Sequence, residues 1–232
     1  MRRSNAAASV TWALLLLGIA MACNSSGGKS NATTIMPLGD SITDGYEIPG
    51  GYRVPLWREL ADGRFDVNFV GSLQNGPPSL PDKDHEGHSG WRIDQIRRSI
   101  DGWLEMYRPD VVLLLIGTND MLRHYHTATA ARRLGSLIDR IHALRPATKI
   151  FVSSIPPSAD VHANVAIGSY DKAVRRIVAA RARARWPVWF VDGGRLTRAD
   201  LADGVHPNNV GYQKLARLWY RALARVLPKA DA

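Results

Sequence analysis

The 232-residue sequence contains a single cysteine, Cys23. A chain with one thiol has no internal disulfide, so its stability has to come from its packed core. It also lacks a hydrophobic run of membrane-spanning length: VTWALLLLGIAMA (residues 10–22) has thirteen residues, against ~20 for a transmembrane helix. Acidic residues are the minority, 21 against 30 lysines and arginines. Such an excess would ordinarily suggest nucleic acid or an anionic membrane as partner. Here the arginines are scattered along helical segments (Arg97, Arg98, Arg132, Arg133, Arg175, Arg176), and the densest run, RARARW at 181–186, has only three. Charge spread in this way is a solvated helix face, and no nucleic-acid partner is expected. No internal repeat is visible.

What is present begins with residues that read as an export signal. Arg2 and Arg3 precede the apolar stretch, which ends in Ala20-Met21-Ala22, the small-x-small pattern of a cleavage site. Residues 1–22 therefore read as a signal peptide, and the mature protein as extracytoplasmic. Cys23 follows at once, where a bacterial lipoprotein carries its lipid, although Ala20 stands where such signals usually have leucine. Secretion and lipid anchoring through Cys23 both stay open, with any membrane contact confined to that anchor. Residues 23–33, rich in Ser, Gly and Asn, read as a flexible tether, and residues 34–232 as one domain.

From Thr33 onward short apolar runs alternate with longer amphipathic ones. TIMPL (34–38), VNFVG (67–71), VVLLLIG (111–117), KIFVSSI (149–155) and VWFV (188–191) are strand candidates. Their polarity is continuous rather than alternating, as in strands covered on both faces. Helices are expected over 51–62, 93–107, 127–145, 165–184 and 208–227, the last with Pro207 suited to its first turn. Five such alternations predict an α/β fold, a three-layer α/β/α domain around a five-stranded parallel sheet. Residues 72–90, SLQNGPPSLPDKDHEGHSG, form the longest irregular stretch, and a loop of that size in a compact domain is more often functional than idle.

In such a sheet ligands bind outside the carboxyl ends of the strands. The first strand ends there in GDSIT, offering Ser41. A serine hydroxyl is a weak nucleophile until a base takes its proton. LADGVHPNNVGY supplies Asp203 and His206 three residues apart, so that one loop can hold a carboxylate against an imidazole. Alone, that pair reads equally as a capping aspartate and a surface histidine. The strand VVLLLIG ends at Gly117-Thr118-Asn119-Asp120, where Asn119 either makes a turn or donates its amide to a developing oxyanion. Gly90, in HEGHSGWRID, allows close backbone approach and is either a second such donor or a helix-entry glycine.

These four pieces, GDSIT, HSGW, IGTND and DGVHPN, in this order, resemble the SGNH (GDSL) hydrolase family over residues 35–227. The resemblance implies a flavodoxin-like fold, Ser41 as nucleophile, His206 as general base and Asp203 as its orienter. It further implies an oxyanion hole of the Ser41 and Gly90 amides with the Asn119 side chain, and no cofactor or metal. GGYRVPLWREL, VNFVGS, LPDKDHEGHSGWRIDQI and VVLLLIGTNDM are similar to the SGNH esterases of carbohydrate esterase family three, which includes acetyl xylan esterases. That similarity implies an acylated carbohydrate substrate, losing a short acyl group, acetyl first, through an acyl-enzyme. The absence of a lid or long apolar loop independently favours a short acyl group. Tyr46, Tyr52 and Trp91 are candidates for stacking on sugar rings, core packing being the other reading.

Other residues carry bland expectations. Asp82, Asp84, His85, Glu86 and His88 collect as oxygen-rich calcium sites do, but the implied chemistry needs no metal. His124 and His126 are expected at a helix entry or groove rim, Asp40 to brace the turn before Ser41, and Arg53 to close the long loop onto the sheet. The chain is expected to act as a monomer. The competing functions are a lipolytic SGNH enzyme (lysophospholipase or thioesterase), an acyltransferase using a sugar hydroxyl in place of water, and a noncatalytic glycan-binding protein. For the esterase, activity is expected to fall below neutral pH as His206 takes a proton.

Overall fold

The computed structural model describes residues 32–230. The expected signal peptide, Cys23 and all of the tether but its last two residues lie outside the described residues. Thr33, assigned to the tether by sequence, already pairs with Val67 in the sheet. The elements run β1 (Thr33–Gly39), α1 (Ser41–Asp44), α2 (Arg53–Asp62), β2 (Val67–Phe69), β3 (Leu73–Gln74), β4 (Asp84–Gly87), α3 (Ile93–Tyr107), β5 (Val111–Leu115), α4 (Thr118–Leu122), α5 (Thr127–Leu144), β6 (Lys149–Ser153), α6 (Val161–Arg183), β7 (Val188–Val191) and α7 (Asn209–Leu223).

The expected class is correct: a mostly parallel sheet flanked by helices. Its strand order is β3-β4-β1-β5-β6-β7, with β2 also paired to β1. Each of the five apolar runs is a strand, but the sheet has seven, and the two additional ones lie inside the stretch expected to be irregular. β4 runs parallel to β1, placing Leu38 beside Glu86 and Gly39 beside Gly87, while β3 pairs antiparallel with β4. Hydrophobic periodicity could not reveal β4 because its sequence is Asp-His-Glu-Gly and its buried side chains, His85 and Glu86, are polar. Glu86 Oε1 accepts from the Ser72 amide at 2.5 Å and Oε2 meets His88 Nε2 at 2.7 Å. Hydrogen bonds thus stand where apolar burial would normally stabilise an internal strand.

β5, Val-Val-Leu-Leu-Leu, is buried throughout and lies along β1 from Ile35–Val111 to Gly39–Leu115. The helices bury one stripe each. Ile93, Ile96, Ile100 and Leu104 recur at helical spacing on α3, and Tyr212, Leu215, Ala216, Trp219 and Leu223 on α7. α2 packs on α7, whereas α5 packs between α3 and α6. α2 starts two residues late and α7 ends four residues early, and two further differences have a cap as their cause. α6 starts four residues early because Asp160 caps it, accepting from the His162 and Ala163 amides at 2.8 and 3.3 Å. Pro207 lies outside α7 rather than in its first turn. Asn208 is the cap, its Oδ1 accepting from the Gly211 amide at 3.0 Å, and Pro207 bridges back to Leu201. Among the described residues no helix is long and apolar enough to cross a membrane.

Candidate active site

β1 delivers the chain to the carboxyl edge of the sheet at Gly39, where a side-chain carbon would collide with the Leu115 carbonyl. Glycine therefore lets β1 and β5 stay in register to their ends. Asp40 caps α1 by accepting from the Ile42 amide at 3.0 Å. α1 is a single turn, ended by Gly45 at φ +82°, and its first residue is Ser41, 7% exposed.

His206 reaches Ser41 from the loop before α7. The Leu201–Pro207 bridge and a bond from the Ala202 amide to the His206 carbonyl (2.8 Å) close this loop. Within it Asp203 Oδ1 accepts from the Val205 and His206 amides at 2.9 and 2.7 Å, so the carboxylate is fixed before it meets the ring. Asp203 Oδ2 then lies 2.7 Å from His206 Nδ1, and His206 Nε2 lies 2.8 Å from Ser41 Oγ. Burial opposes the Asp203 charge, but the hydrogen bonds from His206 and Val205 outweigh it and lower the carboxyl to about 2. An ionised Asp203 requires the proton on Nδ1, leaving Nε2 to accept from the Ser41 hydroxyl.

Gly90 and Asn119 arrive from opposite sides. The His88 amide donates to the Gly39 carbonyl at 2.9 Å, tying the segment after β4 to the end of β1, and Gly90 follows at φ +79°. Asn119 lies in α4, and its Nδ2 donates to the Trp91 carbonyl at 2.9 Å. An amide nitrogen has two hydrogens, so one remains for a ligand. Among the turns and loops of the described residues neither the Ser41 nor the Gly90 amide is spent on a backbone partner.

Arg53 behaves as the sequence suggested. Although it is 0% exposed, it donates to the carbonyls of Thr43 (3.2 Å), Asp44 (3.2 Å), Asn75 (3.2 Å) and Lys83 (3.0 Å), and to Asn75 Oδ1. One guanidinium thus clips the 72–90 segment to the helix bearing Ser41. Burial lowers its pKa to about 10, still charged at neutral pH. Asn75 Nδ2 and Ser89 Oγ (2.5 Å) both donate to the Asp44 carboxylate, closing the same joint.

The three aromatic candidates part company. Tyr46 is 61% exposed and its ring centre lies 5.2 Å from that of His206, on the rim. Tyr52 is a correction: it is fully buried against Trp219, its hydroxyl 3.4 Å from Thr43 Oγ1, and cannot meet a ligand. It follows two glycines in a loop-like sequence, which hid its place at the base of α2. Trp91 is half-buried, with its ring stacked on His88 at 4.2 Å and Trp103 close by. Its carbonyl, the partner of Asn119, is nearer the site's geometry than its ring.

The acidic segment disperses its groups. Asp82 accepts from the Phe69 and Asp84 amides, and Asp84 from Gln74. His85 Nδ1 accepts from the Gly87 amide, and burial pushes its pKa down to about 3. Among the described residues no three His, Cys, Asp or Glu side chains are grouped to hold a metal. His124 and His126 are exposed. Sequence reasoning missed Asp120, whose carboxylate joins the Ile93 amide (3.1 Å) and Arg133 (2.5 Å) beside Asn119. It also missed Tyr170, whose hydroxyl donates to the Ile116 carbonyl at 2.7 Å while its ring packs on Gly117. Neither carries a local signal, because their partners, the start of α3 and Arg133 of α5 for Asp120 and the end of β5 for Tyr170, are distant in sequence.

Residues 38–214 match the model of the GDSL-like Lipase/Acylhydrolase family. Over 226 residues the chain is 32% identical to a multidomain esterase of Ruminococcus flavefaciens, covering 85% of this chain and 29% of that protein. It therefore spans under a third of that relative's length. Two solved structures are similar: a family 3 carbohydrate esterase of Clostridium thermocellum (39% identity, TM-score 0.75, 84% of this chain and 98% of that one), and one from Talaromyces cellulolyticus (30%, 0.75, 84% and 97%).

Proposed function

From the premise that the chain belongs to the GDSL-like lipase/acylhydrolase family and is a carboxylic ester hydrolase, we propose that it removes short acyl groups, acetyl first, from carbohydrate hydroxyls through an acyl-enzyme on Ser41. The hydrogen-bonded series from Asp203 through His206 to Ser41, at 2.7 and 2.8 Å, is the observation that carries this reading. His206 Nε2 takes the Ser41 proton as Oγ attacks the ester carbonyl. The oxyanion is received by the Ser41 and Gly90 amides and the second Asn119 hydrogen. His206 returns the proton to the departing sugar hydroxyl, and water then repeats the sequence to release the acid. Asp203 stays ionised throughout and stabilises the imidazolium. The names of the carbohydrate-esterase relatives support the substrate class, and Tyr46, exposed beside His206, supports a sugar ring stacked at the rim.

Two experiments test this. Nitrophenyl acetate should be cleaved at least ~10-fold faster than the octanoate; the reverse preference would favour a lipolytic enzyme. A fluorophosphonate should add once, at the Ser41 peptide, and not to Ser41→Ala; addition elsewhere would remove Ser41 from the mechanism.

The export reading belongs to the same proposal: the protein acts outside the cytoplasm, secreted or held through a lipid on Cys23. The apolar stretch 10–22 and the adjoining cysteine support it. Mass spectrometry of the mature N-terminus would show a diacylglyceryl-modified Cys23 or an unmodified end near it; an intact Met1 on the bulk of the protein would overturn export.

A further inference from the structure

Two aspartates flank the Ser41–His206 pair, and they are held differently. Asp203 is half-exposed and receives three hydrogen bonds. Asp40 is wholly buried, and its one assigned bond is from the Ile42 amide to Oδ1. Its Oδ2 has no partner at ordinary hydrogen-bond geometry, and neither has the buried Thr118 Oγ1, whose hydroxyl lies near enough to the Asp40 carboxyl to favour its ionised form by donating to it, or to accept from it once it is protonated.

The titratable groups facing Asp40 are His206 from the loop before α7, Asp120 from α4, Tyr52 before α2, Tyr170 in α6 and Tyr212 in α7. Of these only His206 can carry positive charge. Asp120, also buried, has an arginine; Asp40 has none. Burial without a fixed cation drives a carboxylate toward its protonated form, and here it outweighs the Ile42 amide, His206 and the Thr118 hydroxyl, all of which favour the charge, raising Asp40 to about 7.

A protonated carboxyl has a donor to give, and Thr118 Oγ1 is the adjacent unpaired acceptor. We propose that Asp40 works as a neutral carboxylic acid whose Oδ2–H is donated to Thr118 Oγ1, and that this bond is the brace holding the Ser41 turn against the first turn of α4, where Asn119 sits. Asp40 is then a positioning residue: it sets the separation of nucleophile and oxyanion donor without touching substrate. The two aspartates divide the work, Asp203 ionised to orient His206 and Asp40 uncharged to hold the frame. The kinetic consequence rests on the roles proposed for Ser41 and Asn119; the thermodynamic consequence does not.

The test compares wild type with Asp40→Asn, Asp40→Ala and Thr118→Val. Asparagine keeps both bonds, accepting from Ile42 and donating to Thr118, so at about pH 6, where the raised Asp40 carboxyl is still mostly protonated, its kcat on nitrophenyl acetate should stay within about 3-fold of wild type. Alanine and valine break the brace and should lower kcat about 10-fold or more with little change in KM, since a small misplacement costs catalysis before binding. A 100-fold loss in Asp40→Asn equal to that in Asp40→Ala would show that the charge is needed and overturn the proposal. If Asp40→Ala does not fold, Thr118→Val reads the brace alone, and an unchanged kcat there overturns it.

Thermal melting gives a readout independent of activity. With the folded-state pKa raised from 3.8 to about 7, the native protein binds the extra proton between these values. Wild type should therefore lose stability relative to Asp40→Asn as pH rises from about 4 to about 7, levelling above. A difference in Tm that is constant from pH 4 to 8 would overturn the neutral acid. Should wild type cleave no ester, the functional reading fails and the melting comparison still decides the state of Asp40.

Discussion

The two edges of β1 bury opposite chemistry. Along one lies β5, five aliphatic residues excluded from water; along the other lies β4, where His85 and Glu86 are as buried as those leucines. Packing of aliphatic groups is non-directional and tolerates small shifts, whereas a buried hydrogen bond fixes a distance and an angle. The polar edge is also the one that leads to Gly90, and Arg53 clips it to the Ser41 turn. Hydrogen bonds therefore fix the segment that carries Gly90, while aliphatic packing along β5 supplies bulk stability.

Breaking the polar edge at its clip should have the largest effect. Arg53→Met leaves four backbone carbonyls, one buried and three partly buried, without their donor and is expected to cost about 4 kcal/mol or more in urea unfolding, with loss of ester hydrolysis. Lysine should not rescue it, since an ammonium cannot fork to the same carbonyls. A cost below ~1 kcal/mol would remove the contrast between the two edges. Asn119→Ala should lower kcat ~10²- to 10³-fold, about 3 to 4 kcal/mol of transition-state stabilisation, while urea midpoints stay close to wild type. On the apolar edge Leu113→Ala should cost about 3 kcal/mol of stability, yet leave kcat of the folded protein within ~2-fold.

Glu86→Gln sharpens the comparison. It keeps the shape but loses the charge that accepts from Ser72 and meets His88, and should cost about 1 to 2 kcal/mol. Unlike Leu113→Ala, it should lower kcat as well, because Gly90 follows the same strand. A purely thermal effect would mean that β4 does not position Gly90. The smallest effect is expected from Asp203 on the acid side of the stability curve. Its folded-state pKa lies below its ordinary value, so its contribution is complete above about pH 4 and fades as pH falls toward 2. Half-exposure keeps that contribution small, and Asp203→Asn should flatten it.

The same contrast explains what the sequence disclosed. All five apolar strands and five long helices were legible because apolar runs and 3.6-residue stripes report burial directly. Ser41, Gly90, Asn119, Asp203 and His206 were legible as motifs, and Arg53 as a loop clip. β4 was invisible because its burial is balanced by hydrogen bonds whose partners, Ser72 and His88, are not marked by any period. Tyr52 misled for the mirror reason: an aromatic after Gly50-Gly51 reads as exposed loop, but it opens α2 and points into Trp219. Asp40 and Thr118 each read as ordinary turn residues; 78 positions apart in the chain, they come within reach of one another only in the fold.

The central claim is tested most directly by acetate release from acetylated xylan, measured for the purified protein beside Ser41→Ala. The account predicts release by the wild type, none above background by Ser41→Ala, and unchanged melting of the variant. Equal release by the two proteins, or none by either while both remain folded, would contradict it.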